Sequence, residues 1–547
     1  MESQPLTAGN PRHSAMMMAM VVLILGAVFT AWCVDASFER GRLSSIPNYD
    51  DVVYFFSATR FLESFHSSGL DGVAEIIHKH IDNLHSPYST ILAAAAFAVL
   101  GYNDSSPYIF NFLVILLYLF FLSHTLRDLP LAMRSAIMVC FLTLPFATMA
   151  VVEFRPDLCW AILIGFCAVF GISSRTYFDD WRQPAIHGML FALSLLAKPS
   201  IFAMTSVVFG LSACYRTAME WLDRRTLSGW VIARIASIYV LVIFLIAGPY
   251  FIFFGADIWN YFWENLFGSS KAIWAYPGDW LHQIGYYLAG GAAESNLGKP
   301  GWIIGCFFLM GTVAAIARRD TAGMKLAAGL WGIVIAAYLI SSLAGMKSVF
   351  LGGAFYSAFI FGAACLCNNA LMNYLRLHPR SKGIWTGSLT VLAVLSLMLY
   401  QWPQHSGVLS SENGRNYRHV GKSVMNEIAR LPLPQNPLLV FTQSGPVVWE
   451  HVAMRLLQKG LPIRAAVICL NRNMKEDFEQ SIQDADLVFL QDNDMMGAFL
   501  RLPSESFQGQ FRAILDGDRR FKLERKIEAL DGKNVYLYVN RNILKDN

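Results

Sequence analysis

The chain has 547 residues, 55% hydrophobic, 14% aromatic and only 15% charged, with a mean hydropathy of +0.41. A soluble domain carries roughly a quarter charged residues, so the composition excludes an ordinary soluble protein and points to a polytopic α-helical membrane protein. A net charge of +4, with no basic stripe interleaved with aromatics, excludes a nucleic-acid partner.

In chain order, Ala15 to Cys33 is the first expected span, behind a short polar tail with Arg12 and His13. A cleaved signal peptide is the alternative, but no convincing small-x-small site follows and many further spans do. Residues 35–88 form a long polar loop. The apolar run Ser89 to Gly101 holds about 13 residues, too few for a bilayer that needs roughly 20, and reads as a juxtamembrane or re-entrant helix. Further spans are expected at 106–126, 133–152, 157–174, 184–197, 199–215, 230–254, 301–318, 324–344, 348–370 and 384–402, about eleven in all.

Basic residues cluster in alternate loops: Arg127 and Arg134; Arg175 and Arg182; Arg216, Arg224 and Arg225; Arg318, Arg319 and Lys325; Arg376, Arg380 and Lys382. Positive loops face the cytoplasm. The first loop, the 255–300 loop and the C-terminal tail then share the outer side with Arg155, Lys198 and Lys347. From about residue 403 the pattern changes. Apolar runs at Leu438–Phe441, Ile463–Leu470, Asp486–Leu490, Phe521–Ile527 and Val535–Val539 read as strands, and 447–458 and 475–482 as helices. Residues 1–402 therefore read as a membrane domain and 403–547 as an extracytoplasmic α/β domain. The nine cysteines fall almost wholly inside apolar runs, where cysteine acts as a small hydrophobe, so neither a disulfide framework nor a metal cluster is expected.

Candidate chemistry gathers on the outer side. Asp50 and Asp51 precede Tyr54, Phe55, Ala58, Phe61, Leu62 and Phe65, an apolar face at helical spacing. The plain reading is an N-cap and a first-turn acid; the other is a catalytic carboxylate pair. Glu153-Phe154-Arg155-Pro156-Asp157 puts three charges between two spans, either as an interfacial pair that ends the helices or as a site. Lys198 lies between two apolar runs, where an ammonium either snorkels or meets a lipid phosphate. His85, opening His85-Ser86-Pro87-Tyr88, is either structural or able to bind phosphate or carry a proton. The 255–300 loop, with Trp259, Trp263, Lys271, Trp274, Tyr276 and Tyr286, reads as an interfacial girdle or as a surface for sugar rings and isoprenoid tails.

These residues resemble, in order and spacing, the GT-C-fold glycosyltransferases that use polyprenyl-phosphate sugars, nearest to the protein O-mannosyltransferases and the bacterial aminoarabinose-to-lipid-A transferases. Asp50-Asp51 with Tyr54 is similar to the first-loop acid pair and aromatic, with Asp for the commoner second Glu, and Arg60 matches a downstream basic residue. His85-Ser86-Pro87-Tyr88 is similar to the basic-Pro-Pro-Leu-Tyr segment, less one proline and the leucine. Arg155-Pro156-Asp157 resembles Arg-x-Asp, and Ala197-Lys198-Pro199 resembles Thr-Lys-Gly.

The resemblance implies an inverting transfer of a sugar to an acceptor hydroxyl of a lipid, glycan or protein, at the outer face of a bacterial cell membrane. Asp50 would be the general base, with Asp51 positioning the acceptor or a divalent metal ion and Asp157 orienting Arg155 or the acceptor. Lys198, Arg155, His85 and Arg60 would meet the donor phosphate. Tyr54, Tyr88, Glu153, Lys271, Trp274 and Tyr276 would line the substrate. No other cofactor is expected. The rival classes are a flippase of lipid-linked saccharide, which needs charges near mid-membrane and often repeats, and an O-antigen ligase or polymerase, which relies on a large late loop.

Overall fold

The computed structural model describes every residue except 1–10, 48, 80–86, 175, 225–227, 269–270, 272–275, 277, 404–410, 443–446, 470–472, 493–502 and 544–547. Eight of the described helices are long and apolar enough to cross a membrane. The first, α1, is Pro11–Arg40. After a 3-10 turn at Arg42–Ser44, α2 (Tyr49–Lys79) begins, and both Asp50 and Asp51 fall in its first turn. Its buried side, Val52, Phe55, Ala58 and Leu62, follows the expected apolar spacing, although Phe65 is exposed. The short apolar helix α3 is Pro87–Leu100. At 1.5 Å per residue it is about 21 Å long, less than the thickness of a bilayer's hydrocarbon core.

Helices α4 (Ser106–Phe110) and α5 (Phe112–Thr125) together make one crossing-length unit. The expected single span at 133–152 is instead a bent pair, α6 (Leu131–Leu142) and α7 (Pro145–Val152), which meet at 70°. Pro145 has no N–H to give the α6 ladder and suits a helix start, so the chain turns there. Every residue of α7 is buried. Two other expected spans are helices of 16 and 17 residues, α9 (Arg182–Ala197) and Gly301–Ala317, below crossing length. Against about eleven expected spans, eight of the described helices, or nine with the bent pair, have crossing length and composition, and Pro87–Leu100 and Gly301–Ala317 are shorter apolar helices beside them.

At the centre stands α8 (Pro156–Ser173), apolar on all sides and almost wholly buried, as a helix without a polar face must be. It packs on helix Gly353–Leu377 through small residues. A Cβ on Gly165 would stand 2.2 Å from Ser357 Oγ, and one on Gly353 would stand 2.6 Å from Ala161 Cβ. Close backbone approach of this kind is how helices associate where lipid supplies no hydrophobic drive. Helices α10 (Phe202–Arg224), α11 (Gly229–Ile246), Thr321–Leu343 and Lys382–Met398 surround this core. The chain breaks again at Ala247, before Pro249, and continues as α12 (Gly248–Leu266).

The last part of the chain forms a five-stranded sheet in the order β2-β1-β3-β5-β4, with β1 Leu438–Phe441, β2 Arg464–Val467, β3 Leu487–Gln491, β4 Phe521–Glu528 and β5 Asn534–Asn540. β1 pairs in parallel with β2 and β3, while β5 runs antiparallel to β3 and β4. Helices Ser411–Ile428 and Trp449–Leu457 lie between this sheet and the membrane bundle, with contacts to the turn at 42–44 and to α2. The first loop and the C-terminal domain are therefore on one side of the bundle.

Candidate active site

Three connections meet at that end of the bundle: the turn leading into α2, the α7–α8 connection, and Lys198 after α9. The first residue to arrive is Arg42. Its side chain is 6% exposed; Nε donates to Glu153 Oε2 at 2.8 Å, and Nη2 lies 2.7 Å from the same oxygen. Asp51 Oδ2 stands 3.9 Å from Arg42 Nε. That oxygen also accepts the Tyr108 hydroxyl at 2.6 Å and the Phe154 N–H at 3.4 Å. Asn111 Nδ2 donates to the carbonyls of Val151 at 2.8 Å and Glu153 at 3.2 Å, which fixes the end of α7.

Ionic contacts then continue outward. Arg155 Nε is 3.8 Å from Glu153 Oε2, and its Nη1 is 2.6 Å from Asp50 Oδ2. The Arg155 guanidinium lies 4.5 Å over the Phe350 ring. Beside this chain, Lys198 Nζ pairs with Asp157, a first-turn acid of α8. The order Asp51, Arg42, Glu153, Arg155, Asp50 alternates in sign from the interior to the surface. Exposure discriminates among the acids: the Asp50 side chain is 51% exposed, while Asp51, Glu153 and Asp157 are at 0%, 2% and 5%.

Burial pushes the Asp51 carboxyl above the usual carboxylate range, with Arg42 pulling the other way. For Arg42, burial works against the charge, but Glu153 and Asp51 outweigh it and hold the guanidinium protonated. Arg155 behaves alike, with burial opposed chiefly by Asp50.

Several expected site residues occupy other positions. Asp51 lies beneath Asp50 rather than beside it, because Tyr108, Arg42 and the Phe154 N–H hold it inside. Glu153 is a buried counter-ion to Arg42 and presents no surface to a substrate. Tyr54 is 2% exposed on the apolar face of α2 and lines nothing open. Tyr88 is half-buried and hydrogen-bonds Cys159. Arg60 lies ten residues beyond Asp50, about 15 Å along the helix. It stacks over Phe56 at 5.6 Å, and burial lowers its pKa.

Lys271 is exposed, and among the described residues no side-chain hydrogen bond or ion pair joins it to the cluster. Tyr276 donates its N–H to Gly345 at 3.0 Å and meets Tyr286 at 4.9 Å, so it belongs to the connection that also carries Phe350. His85 and Trp274 lie outside the described residues.

Arg42, Tyr108 and Phe350 were missed by sequence reasoning. Arg42 looks like any boundary arginine after a span, and only the triad it forms gives it meaning. Lys347 marked topology alone, yet its Nζ donates to the carbonyls of Ser342 and Ala344 at 2.6 Å and of Ser341 at 3.0 Å, closing the end of helix Thr321–Leu343.

No cofactor is established for this cluster. Each of its carboxylates is already met by a guanidinium or an ammonium, and no three His, Cys, Asp or Glu side chains converge among the described residues.

No protein-family model matches the chain, and no curated protein matches it in sequence. Solved structures do. One is an ArnT from Cupriavidus metallidurans in the apo state, with a TM-score of 0.53 at 12% identity over 96% of this chain and 98% of that one. The same protein bound to undecaprenyl phosphate matches with a TM-score of 0.52 at 11% identity over the same shares. At such identities the likeness establishes the fold: a many-helix membrane body with a small C-terminal sheet domain, of the GT-C type that the sequence motifs resemble.

Proposed function

We propose that the chain is an integral-membrane inverting glycosyltransferase that moves a sugar from a polyprenyl-phosphate donor to an acceptor hydroxyl, with Asp50 as the general base. The observation that carries this reading is the exposure of Asp50, a half-open carboxylate at the end of an otherwise buried ionic chain. A base must reach the acceptor proton, and the other acids of the cluster are closed off.

Two acids rest on two cations, Asp50 on Arg155 and Asp157 on Lys198. The donor's phosphodiester carries one negative charge, which competes with Asp50 for Arg155. Its arrival frees Asp50 from Arg155 and turns it toward the acceptor. The acceptor oxygen then bonds to the anomeric carbon as its proton passes to Asp50. The carbon–oxygen bond to phosphate breaks, and its electron pair stays on the phosphate, where Lys198 and Arg155 balance the growing charge. A single displacement inverts the anomeric centre. Asp51, behind Asp50, holds the first turn of α2 through Tyr108 and Arg42. The Lys and Arg alternation supports an orientation with this face outside the cytoplasm, and the resemblance supports a bacterial cell membrane. The acceptor is a lipid, glycan or protein hydroxyl.

The test is Asp50→Asn in detergent or liposomes with a labelled polyprenyl-phosphate sugar. Loss of a positioned base lowers transfer by about 100-fold or more, while binding of undecaprenyl phosphate is kept. Near-wild-type turnover in folded protein removes Asp50 from the chemistry. Translocation of the labelled lipid without transfer would make the protein a flippase instead.

A further inference from the structure

The segment that delivers Asp50 is gripped from the far end of the chain. Helix Ser411–Ile428 lies against residues 42–46. Arg418 Nη2 donates to the Leu43 carbonyl and, at 3.4 Å, to that of Ser45. These carbonyls end the 3-10 turn that carries Arg42, and turn ends leave such oxygens in need of donors. Gly414 and Gly421, seven residues apart on the same helix face, allow the close approach. A Cβ on Gly414 would stand 2.2 Å from Ser44 Oγ, and one on Gly421 2.8 Å from Ile46 Cδ1.

Tyr417 and Val448 complete an apolar cluster with Ile46 and Val52, which flank Asp50 on both sides. Helix Trp449–Leu457 continues the grip along α2. Trp449 meets Phe56 edge-on at 5.6 Å, and Gln458, just past that helix, donates Nε2 to Thr59 Oγ1 at 3.4 Å. Arg455 pairs with Asp104, ahead of the α4 helix that supplies Tyr108 to Asp51.

Domain docking alone would need only apolar contact. Here both hydrogen bonds of Arg418 fall on the backbone between Arg42 and Asp50, where a shift of the chain moves both charges. We propose that the C-terminal domain is a working part of the active site. In this inference Arg418 is a positioning residue that fixes the height and register of the Asp50-bearing turn over Arg155. For its catalytic consequence it rests on the glycosyltransferase reading; its geometric consequence stands apart from that reading.

The experiment uses the full chain with Arg418→Ala, Arg418→Lys and Gly414→Val, read by hydrogen exchange of residues 42–56, undecaprenyl phosphate binding, and transfer kinetics. In Arg418→Ala, exchange of the segment speeds up about tenfold or more, the loss expected for hydrogen bonds from a charged donor. Turnover falls by a similar factor, while the KM for donor and the affinity for undecaprenyl phosphate stay within about twofold of wild type. Arg418→Lys, which keeps a charge and a donor, recovers part of both losses, and Gly414→Val reproduces them by pushing the helices apart. Unchanged exchange in Arg418→Ala overturns the grip. Faster exchange with wild-type turnover reduces it to ordinary docking and overturns the positioning role. If the wild type transfers no sugar, the glycosyltransferase reading falls, and the exchange measurements alone decide whether the grip exists.

Discussion

Arg42→Met is the most exacting test of the ionic chain. The guanidinium is 6% exposed and makes two close approaches to one Glu153 oxygen, at 2.8 and 2.7 Å, with Asp51 3.9 Å away. Removing one partner of a buried pair costs about 3–5 kcal/mol because a charge is left uncompensated. Here one cation faces two buried carboxylates, so the upper end, about 5 kcal/mol, is expected. In thermal unfolding of the purified protein in detergent, with an unfolding entropy of about 2.1 cal/mol/K per residue over 547 residues, this corresponds to an apparent melting temperature lower by about 4 °C.

A second substitution gives the sign. Glu153→Gln alone removes Arg42's strongest partner and destabilises. In the Arg42→Met background the same change removes a buried charge that has lost its nearest partner and keeps only Arg155 at 3.8 Å, and it raises the melting temperature. Additive, same-sign effects of the two substitutions would refute the reasoning, as would an Arg42→Met protein that melts with wild type.

Further outcomes follow from neighbouring groups. Burial raises the Glu450 carboxyl to about 7 at the base of helix Trp449–Leu457, so the folded state holds this proton from about pH 4.5 to 7 while the unfolded chain has lost it. Stability at this interface is then full below about pH 4.5 and declines as pH rises through about 7, by at most about 3 kcal/mol. Melting curves from pH 5 to 8 should show this slope in wild type and lose it in Glu450→Gln; an unchanged slope there assigns it to another group. Lys198→Ala weakens binding of undecaprenyl phosphate by about tenfold, as expected for a lost charge-assisted hydrogen bond. Unaltered affinity would leave Lys198 as no more than the counter-ion of Asp157.

Much of this architecture can be read in the sequence because its signals are local. The apolar face of α2, the strands at 438–441 and 487–491, and the shortness of α3 each rest on periodicity within one segment. The errors come where a local signal met a strong composition. Thr143-Leu144-Pro145 marks a break, yet apolar residues on both sides read as one span. Helix Ser411–Ile428 went unread because its polar residues mask a regular stripe of Tyr417, Val420, Val424 and Ile428. The charges illustrate a different limit. Asp50, Arg155, Asp157 and Lys198 could each be singled out, but pairing across 41 to 105 positions is a tertiary fact. Asp51 and Glu153 read as exposed acids until Arg42 and Tyr108, from two other segments, turn them inward.

The contact between helix Ser411–Ile428 and the turn at Arg42–Ser44 also orders events in time. The turn is made early, and its partner emerges about 400 residues later, roughly 20–80 s afterwards at ordinary rates of synthesis. During that interval the membrane body can insert and pack with its acid-bearing segment unseated. A chain halted before Arg418 would therefore hold every charged residue of the cluster and still lack the brace that sets them in register. On the proposed positioning role, the arrival of helix Ser411–Ile428, rather than insertion of the spans, is the step that seats the acid-bearing segment.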